Sequence, residues 1–339
     1  MNNLIVYCEM EEGKPSDISY ELLGKGRDLA EKLGCEVEAV VIGSSLSGVE
    51  NRLFAYGADR VFVFDNPKLH HFSTLPYAEI LIQLFKEKEP QIVLFGATPV
   101  GRELGPRVSS ALHSGLTADC TDLNIGSYED KKNEKSYEKL LYQIRPAFGG
   151  NIIATIVNPE CRPQMATVRE GVMKKLVPNF DRKGELEIFN TEKYLREELF
   201  VVELLEENIQ SKSVNIKNAP IIVAGGYGVG SKEGFDLLYQ LASLIGGEVG
   251  ASRAAVDAGW VEGERQIGQT GVCVRPKLYI ACGISGQVQH LAGMQESAMI
   301  ISINTDADAP INQIADYVIE GRVEDVLPKM MKYFQENSK

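Results

Sequence analysis

The chain has few of the residues from which most catalytic centres are built. Histidine occurs four times in 339 residues, as His70, His71, His113 and His290. No nucleophile-plus-base arrangement and no paired carboxylates on a small-residue background stand out, so no catalytic residue and no metal ligand is assigned. Ser285-Gly286 is not a G-x-S-x-G elbow. The six cysteines, Cys8, Cys35, Cys120, Cys161, Cys273 and Cys282, include no C-x-x-C pair. That argues against a zinc ribbon or an iron–sulfur cluster held by this chain. Positive charge is also short. Lys+Arg number 35 against 47 for Asp+Glu, a formal charge of −12. Non-specific binding to nucleic acid or to an anionic membrane surface is therefore not expected. No apolar run approaches the roughly 20 residues that span a bilayer. The first residues, MNNLIVYCEMEEGK, have no basic region and no long apolar core, so no signal peptide is expected. A cytoplasmic, reducing location without disulfides fits these absences.

What is present is ordinary for a soluble globular protein: 44% hydrophobic and 24% charged residues. The length suits one large domain or two ordinary ones. Leu4–Tyr7, Val37–Ile42, Val61–Phe64 and Ile92–Phe95 read as strands. Helices over Tyr20–Leu33, Val49–Tyr56, Tyr77–Lys88 and Gly101–Leu112 alternate with them, which predicts a parallel sheet. The rhythm then changes. Asp119–Leu123, Leu140–Ile144, Ile152–Val157 and Gln164–Thr167 read as strands of an antiparallel extension, with Glu129–Lys139 as an exposed hairpin loop. From Pro178 to Pro220 the chain is rich in Lys, Glu and Asn; Glu203–Gln210 suggests a short exposed helix and Ser211–Pro220 a linker. The α/β pattern restarts at Ile221–Ala224, with a helix at Phe235–Leu244, strands at Leu278–Cys282, Met299–Ile303 and Tyr317–Ile319, and a last helix at Val323–Phe334. The expected division is a first domain over 1–200, a linker over 201–217 and a second domain over 218–339.

Four stretches of the second domain carry chemistry. Leu278–Met294 is a buried strand, a Gly283-Ile284-Ser285-Gly286 turn and the start of a helix bearing His290. Such a turn presents backbone N–H groups to an anion or a polar ring edge. It equally suits a plain strand-to-helix connection, with His290 on a solvated face. Ala224–Gly230 is a glycine-rich turn that would let a pyrophosphate approach, but it lacks the G-x-G-x-x-G spacing of an NAD(P) fingerprint. In Val249–Trp260, Arg253 sits among small residues and wants a partner, either an anionic ligand or Asp257 four residues on. Arg265–Gly271 offers amides and a hydroxyl without an acid or thiol, suited to holding a polar ring rather than attacking a bond. A site that binds without acid–base machinery suits a chain that holds a redox cofactor.

In order, these blocks resemble the electron-transfer flavoprotein α-subunit family. In the first domain Gly96-Ala97-Thr98, Gly101–Arg107, Gly115–Cys120 and Arg162–Arg169 are also similar to it. The resemblance implies two α/β domains. The N-terminal one would be a parallel-sheet, nucleotide-binding-like domain with an antiparallel extension and no nucleotide of its own. The C-terminal one would be a doubly wound FAD-binding domain. It implies a heterodimer with a β-subunit, and electron traffic between an acyl-CoA or 2-hydroxyacid dehydrogenase and another redox partner. Some members bifurcate electrons from NADH to ferredoxin, with NADH and a second flavin mainly on the β-subunit. By position, the resemblance assigns FAD contacts to Ser252 and Arg253, to Ile267, Gly268, Gln269 and Thr270 near the flavin N5 edge, and to Ser285, Gly286, Gln287, Val288, Gln289 and His290. Arg253 would raise the flavin potential by its charge. His290 would lie near the pyrimidine side, and Asn304 would hold the adenosine end. Two positions depart from the family pattern: Tyr227 stands where Arg is common, and Gly321-Arg322-Val323 where an acid is common. The rival readings are an NAD-dependent α/β enzyme and a structural subunit lacking its cofactor.

Overall fold

The computed structural model describes residues 3–130, 133–147, 152–202, 204–206 and 216–337. The chain forms two compact units, residues 1–208 and 209–339.

In the first unit, strand β1 (Leu4–Tyr7) leads through a short hairpin, β2 (Met10–Glu11) and β3 (Lys14–Pro15), to helix α1 (Asp17–Leu33). Gly34 closes α1 at φ 72°, its N–H donating to the Ala30 carbonyl, as a left-handed cap requires. There follow β4 (Val37–Gly43), α2 (Val49–Ala55), β5 (Arg60–Asp65), α3 (Thr74–Lys88), β6 (Ile92–Gly96) and α4 (Pro99–Ala111). Helix α3 starts three residues before the sequence pattern does. Pro76 lies in its first turn, where a missing N–H costs nothing. Strands β7 (Leu116–Cys120), β8 (Asp122–Asp130), β9 (Lys135–Ala147), β10 (Ile152–Ile156), β11 (Gln164–Val168) and β12 (Glu185–Ile188) complete the unit.

The main sheet runs β12-β5-β4-β1-β6-β11-β7, all parallel. An antiparallel sheet, β10-β9-β8, forms the extension. Four details differ from expectation. Asp119–Leu123 is not one strand. Asp119 (φ 60°) shifts the register, Cys120 still pairs with Val168 in the main sheet, and Thr121 N–H then bonds the Ile144 carbonyl of the extension, 2.8 Å. Gln164–Val168 belongs to the main sheet, parallel to β6. Glu129–Lys139 is largely ribbon, with Tyr128 opposite Tyr137 and Asp130 opposite Lys135. Its charges face water, so they do not oppose pairing; residues 131 and 132 lie outside the described part. Strand β12 is an edge strand whose Leu186 and Ile188 stay exposed, so burial leaves no periodic mark on its sequence. The expected helix over 203–210 and linker over 201–217 fall mostly on residues outside the described part, 203 and 207–215.

The second unit is β13 (Ile221–Gly225), α5 (Lys232–Ile245), β14 (Glu248–Ala251), α6 (Arg253–Asp257), β15 (Leu278–Cys282), α7 (Val288–Leu291), β16 (Ile300–Asn304), β17 (Tyr317–Glu320) and α8 (Val323–Asn337). Its sheet runs β14-β13-β15-β16-β17, all parallel. Helices α5 and α8 cover one face through Phe235, Leu238, Leu241, Val323 and Leu327. The other face is covered by loops and α7, through Ile267, Val274, Ile284, Met294 and Ile311. Tyr279 of β15 is fully buried on that face. Strand order reverses between β13 and β15, so the loops leaving their carboxyl ends part there and open a crevice. Among the described residues no helix is long and apolar enough to cross a membrane.

Candidate functional site

A cavity of about 610 Å³ lies at that crevice. Four strand ends build it. β13 supplies Gly226, Tyr227 and Gly228; β14 supplies Ser252 and Arg253. β15 supplies the Gly283–Gln287 turn with Gln289 and His290, and β16 supplies Asn304. The 266–270 loop closes a further side. The structure thus brings together Ser252, Arg253, Ile267, Gly268, Gln269, Thr270, Ser285, Gly286, Gln287, Gln289, His290 and Asn304. Val288 is half-buried in α7 and does not line the cavity. Sequence reasoning did not assign Gln266, Asp257 or Asp306 to the wall, although all three line it. Gln266 stood inside the polar loop already singled out, and Asp257 one helical turn from Arg253; Asp306 carried no signal.

The turn after β15 holds the most useful chemistry. Among the described residues, the backbone N–H groups from Ile284 to Gln289 donate to no protein acceptor. Five of these six residues, all but Val288, line the cavity, and a run of free donors there suits an anion or carbonyl oxygens. Gly286 permits the turn: it sits at φ +89°, and a Cβ there would lie 2.3 Å from the Ile311 backbone nitrogen. Asn304 braces it, its side-chain amide donating to the Ile284 carbonyl at 2.9 Å. The Asn304 side-chain oxygen accepts from Asp306 N–H, 3.1 Å.

The glycine-rich turn after β13 behaves otherwise. Gly226 N–H donates to Cys282 O, Gly228 to Gly283 O, Val229 to Gly226 O and Gly230 to Tyr227 O, at 2.8–3.1 Å. These donors are engaged inside the protein and cannot cradle a pyrophosphate. The glycines instead allow close packing: a Cβ on Gly226 would lie 2.1 Å from the Gly283 carbonyl oxygen. Tyr227 stacks on Trp260, centroids 5.1 Å apart and planes 20° apart, which gives that departure from the family pattern a local packing reason. Arg322 pairs with Glu324 at 2.5 Å. Both line a second hollow of about 320 Å³, which shares Gly228, Gly283 and Asn304 with the first.

The 266–270 loop also offers less backbone than expected. Ile267 N–H bonds Ala251 O, Gly268 N–H bonds Val272 O and Gln269 N–H bonds Gln289 O. Thr270 remains; its hydroxyl accepts from Gln266 Nε2 at 3.0 Å and keeps its own proton to donate. Arg253 is well exposed and pairs with Asp257, Nε to Oδ2 3.3 Å. It supplies a cation to the cavity wall, tethered by its neighbour. His290 is not on a solvated face. It is 6% exposed, and burial holds its pKa down at about 4, so the ring is neutral at pH 7. Burial pushes the Cys282 thiol up to about 12, so it stays protonated at pH 7.

The first unit has its own crevice between β1 and β6. There Thr98 Oγ1 donates to the Glu9 carboxylate at 2.5 Å. Burial raises the Glu9 pKa, with the Thr98 hydrogen bond opposing the shift. A carboxylate in this place repels phosphate, so an anion is better served in the second unit. Among the described residues no group of His, Cys, Asp and Glu could hold a metal ion.

The donor set therefore fits a long ligand with polar ring edges and phosphates: free N–H groups, side-chain amides, one arginine, and no nucleophile. FAD has that chemistry. Comparison with known proteins agrees. Residues 4–193 match the electron transfer flavoprotein domain, and residues 215–295 match the electron transfer flavoprotein FAD-binding domain. The chain is 48% identical over 331 residues to the electron transfer flavoprotein subunit alpha of Clostridium acetobutylicum, covering 96% of this chain and 95% of that protein. It is 40% identical to the acryloyl-CoA reductase electron transfer subunit beta of Anaerotignum propionicum, covering 98% and 95%. It is 39% identical to the lactate dehydrogenase (NAD(+),ferredoxin) subunit LctC of Acetobacterium woodii, covering 99% of this chain and 78% of that protein.

Proposed function

The chain belongs to the electron transfer flavoprotein α-subunit family, and from that premise we propose that the cavity of its second unit is the FAD site of a heterodimeric electron carrier. The observation that carries this reading is the run of unengaged N–H groups at 284–287 and 289, on residues that line a cavity shared with Arg253. FAD, when bound, supplies the redox chemistry by taking up and releasing electrons. The chain's own residues bind, orient and shield it. The 284–289 N–H groups suit phosphate or ring carbonyl oxygens. Thr270 and the side-chain amides of Gln266, Gln269, Gln287 and Gln289 suit the polar ring edge. Arg253 favours negative charge on whatever lies beside it. The neutral His290 moves no proton at pH 7, and electron transfer asks for no general acid or base.

The partners are part of the same proposal: a β-subunit, and a dehydrogenase of the acyl-CoA or 2-hydroxyacid type. The printed names of two relatives, an acryloyl-CoA reductase subunit and a lactate dehydrogenase subunit, support both dehydrogenase types. The second of these names also links NAD(+) and ferredoxin, which supports a bifurcating role, with NADH and a second flavin on the β-subunit. A cytoplasmic location completes the proposal; it is supported by the lack of any disulfide among the described residues.

Co-expression with the adjacent β-subunit tests it. The complex should elute as a heterodimer with flavin bound, and flavin should be lost when the 284–289 turn is disrupted. One FAD per heterodimer would mark a simple carrier, and two with NADH-driven ferredoxin reduction would mark a bifurcating one. A colourless complex that retains NAD would sink the proposal in favour of an NAD-dependent enzyme. Failure to take up FAD with the β-subunit present would favour a structural subunit.

A further inference from the structure

Both ring nitrogens of His290 are held by protein groups. Tyr279 hydroxyl and His290 Nε2 are 2.9 Å apart, and His290 Nδ1 lies 3.0 Å from the Ile267 carbonyl oxygen. A carbonyl can only accept, so Nδ1 carries the proton. Tyr279 is fully buried, and burial raises its pKa well above the ordinary value. It therefore keeps its proton and donates it to Nε2. The arrangement suits a neutral, Nδ1-protonated imidazole: a second proton on Nε2 would make the buried hydroxyl turn to accept it, and no carboxylate bonds the ring to offset the charge. Burial also holds the His290 pKa at about 4.

The same contact sits on a wider seam. Gln269 N–H donates to the Gln289 carbonyl at 2.7 Å, and Val274 N–H to Gly293 O at 2.8 Å. A Cβ on Gly293 would lie 2.5 Å from the Gly268 nitrogen. The 267–274 loop is thus zipped backbone to backbone onto 289–293. His290 is the side chain that ties this seam down to β15 through Tyr279.

We infer that His290 is a positioning residue: a neutral joint, fixed between Tyr279 and Ile267, that holds the 267–270 rim of the cavity in place and brings no charge to it. Tyr279 of β15 bonds the ring, and the titratable groups that share its cavity are Arg253 and Asp257 from α6 and Asp306 beyond β16. The inference rests on the FAD reading for its consequence, but not for the state of the ring.

Two measurements on the full chain test it. The first is imidazole nitrogen NMR of histidine-labelled protein, with and without FAD, assigned by the resonance lost in His290→Asn. The expected result is an Nδ1–H neutral ring that does not titrate between about pH 8 and 5.5. A doubly protonated ring in that range, or an Nε2–H tautomer, overturns the inference. This readout stands even if the wild type binds no FAD, so failure of the cofactor reading is seen separately. The second is FAD release from two variants. His290→Asn keeps a donor near the place of Nδ1, and His290→Phe keeps the ring volume without nitrogens. Release should be at least about tenfold faster in His290→Phe, which loses the hydrogen bonds to both Ile267 and Tyr279, and within about threefold of wild type in His290→Asn, which keeps the bond to the rim. The pH profile of the flavin potential should be parallel in His290→Asn and wild type. Equal impairment of both variants, or an altered profile, overturns it.

Discussion

Replacing Gly286 by alanine should cripple the cavity without touching any side chain that lines it. Gly286 lies at φ +89°, and a Cβ would sit 2.3 Å from the Ile311 nitrogen and 2.7 Å from its Cα. The left-handed conformation costs an alanine about 1–2 kcal/mol. Ordinary non-bonded separations are roughly 3.5 Å, so the Ile311 backbone must move by about 1 Å. That movement breaks the Ile311 N–H to Ser285 O bond, 3.2 Å in the native turn, at a cost of about 0.5–1.5 kcal/mol. The sum is roughly 1.5–3.5 kcal/mol. If the turn relieves the clash by opening, FAD binding must close it again, and affinity falls by roughly 10- to 300-fold. The assay is FAD titration followed by quenching of flavin fluorescence. Gly246→Ala is the control: it has φ +71° and nothing within 4 Å of a Cβ. It caps α5 and does not line the cavity. It should lose about 1–2 kcal/mol of stability and leave FAD affinity alone. A Gly286→Ala protein that folds and binds FAD within about threefold of Gly246→Ala would refute the argument.

The other predictions concern charge and exposure. For Arg253→Ala, FAD should stay bound and the two-electron potential should fall by roughly 5–20 mV, the worth of an exposed charge; a redox titration showing no change would remove Arg253 from the flavin's surroundings. His290 titrates at 6.5 when unfolded and at about 4 when folded. Above the unfolded value neither state holds the extra proton, and between the two values only the unfolded chain does. Its contribution to stability is therefore full above pH 6.5 and falls by about 3 kcal/mol as pH drops to 4. Urea unfolding of wild type and His290→Phe should diverge less as pH falls; a constant difference from about pH 7 to 4.5 would contradict this. Cys161 is exposed whereas Cys8, Cys120 and Cys282 are buried with raised pKa values. Native alkylation read by mass spectrometry should therefore modify Cys161 and spare those three, and rapid labelling of Cys282 would show the second unit's core to be open.

Where an element is buried, its sequence announced it. Leu278–Cys282 is a strand over the expected residues, and the turn after it opens the cavity as the glycine and serine suggested. Elements whose side chains stay in water were misread: β12 as featureless chain and the β8–β9 ribbon as loop. Most of the residues that line the cavity were singled out together, through the family resemblance and the small-residue background around Ser252 and Arg253. Their working parts were not. Whether an N–H is free depends on which carbonyl folds against it. The Gly226–Gly230 donors are taken by each other and by the β15 turn, and those of Ile267–Gln269 by three different elements. Likewise the burial of His290 depends on Tyr279 and Ile267, 11 and 23 residues away. No local pattern could carry that information.

Equilibrium titration of the full chain with FAD, with NAD run in parallel, tests the central claim most directly. The account predicts saturable FAD binding at one molecule per chain in the second unit's cavity, abolished or severely weakened by Gly286→Ala, with no comparable binding of NAD. Saturable NAD binding without FAD binding would contradict it, as would FAD binding indifferent to the 284–289 turn.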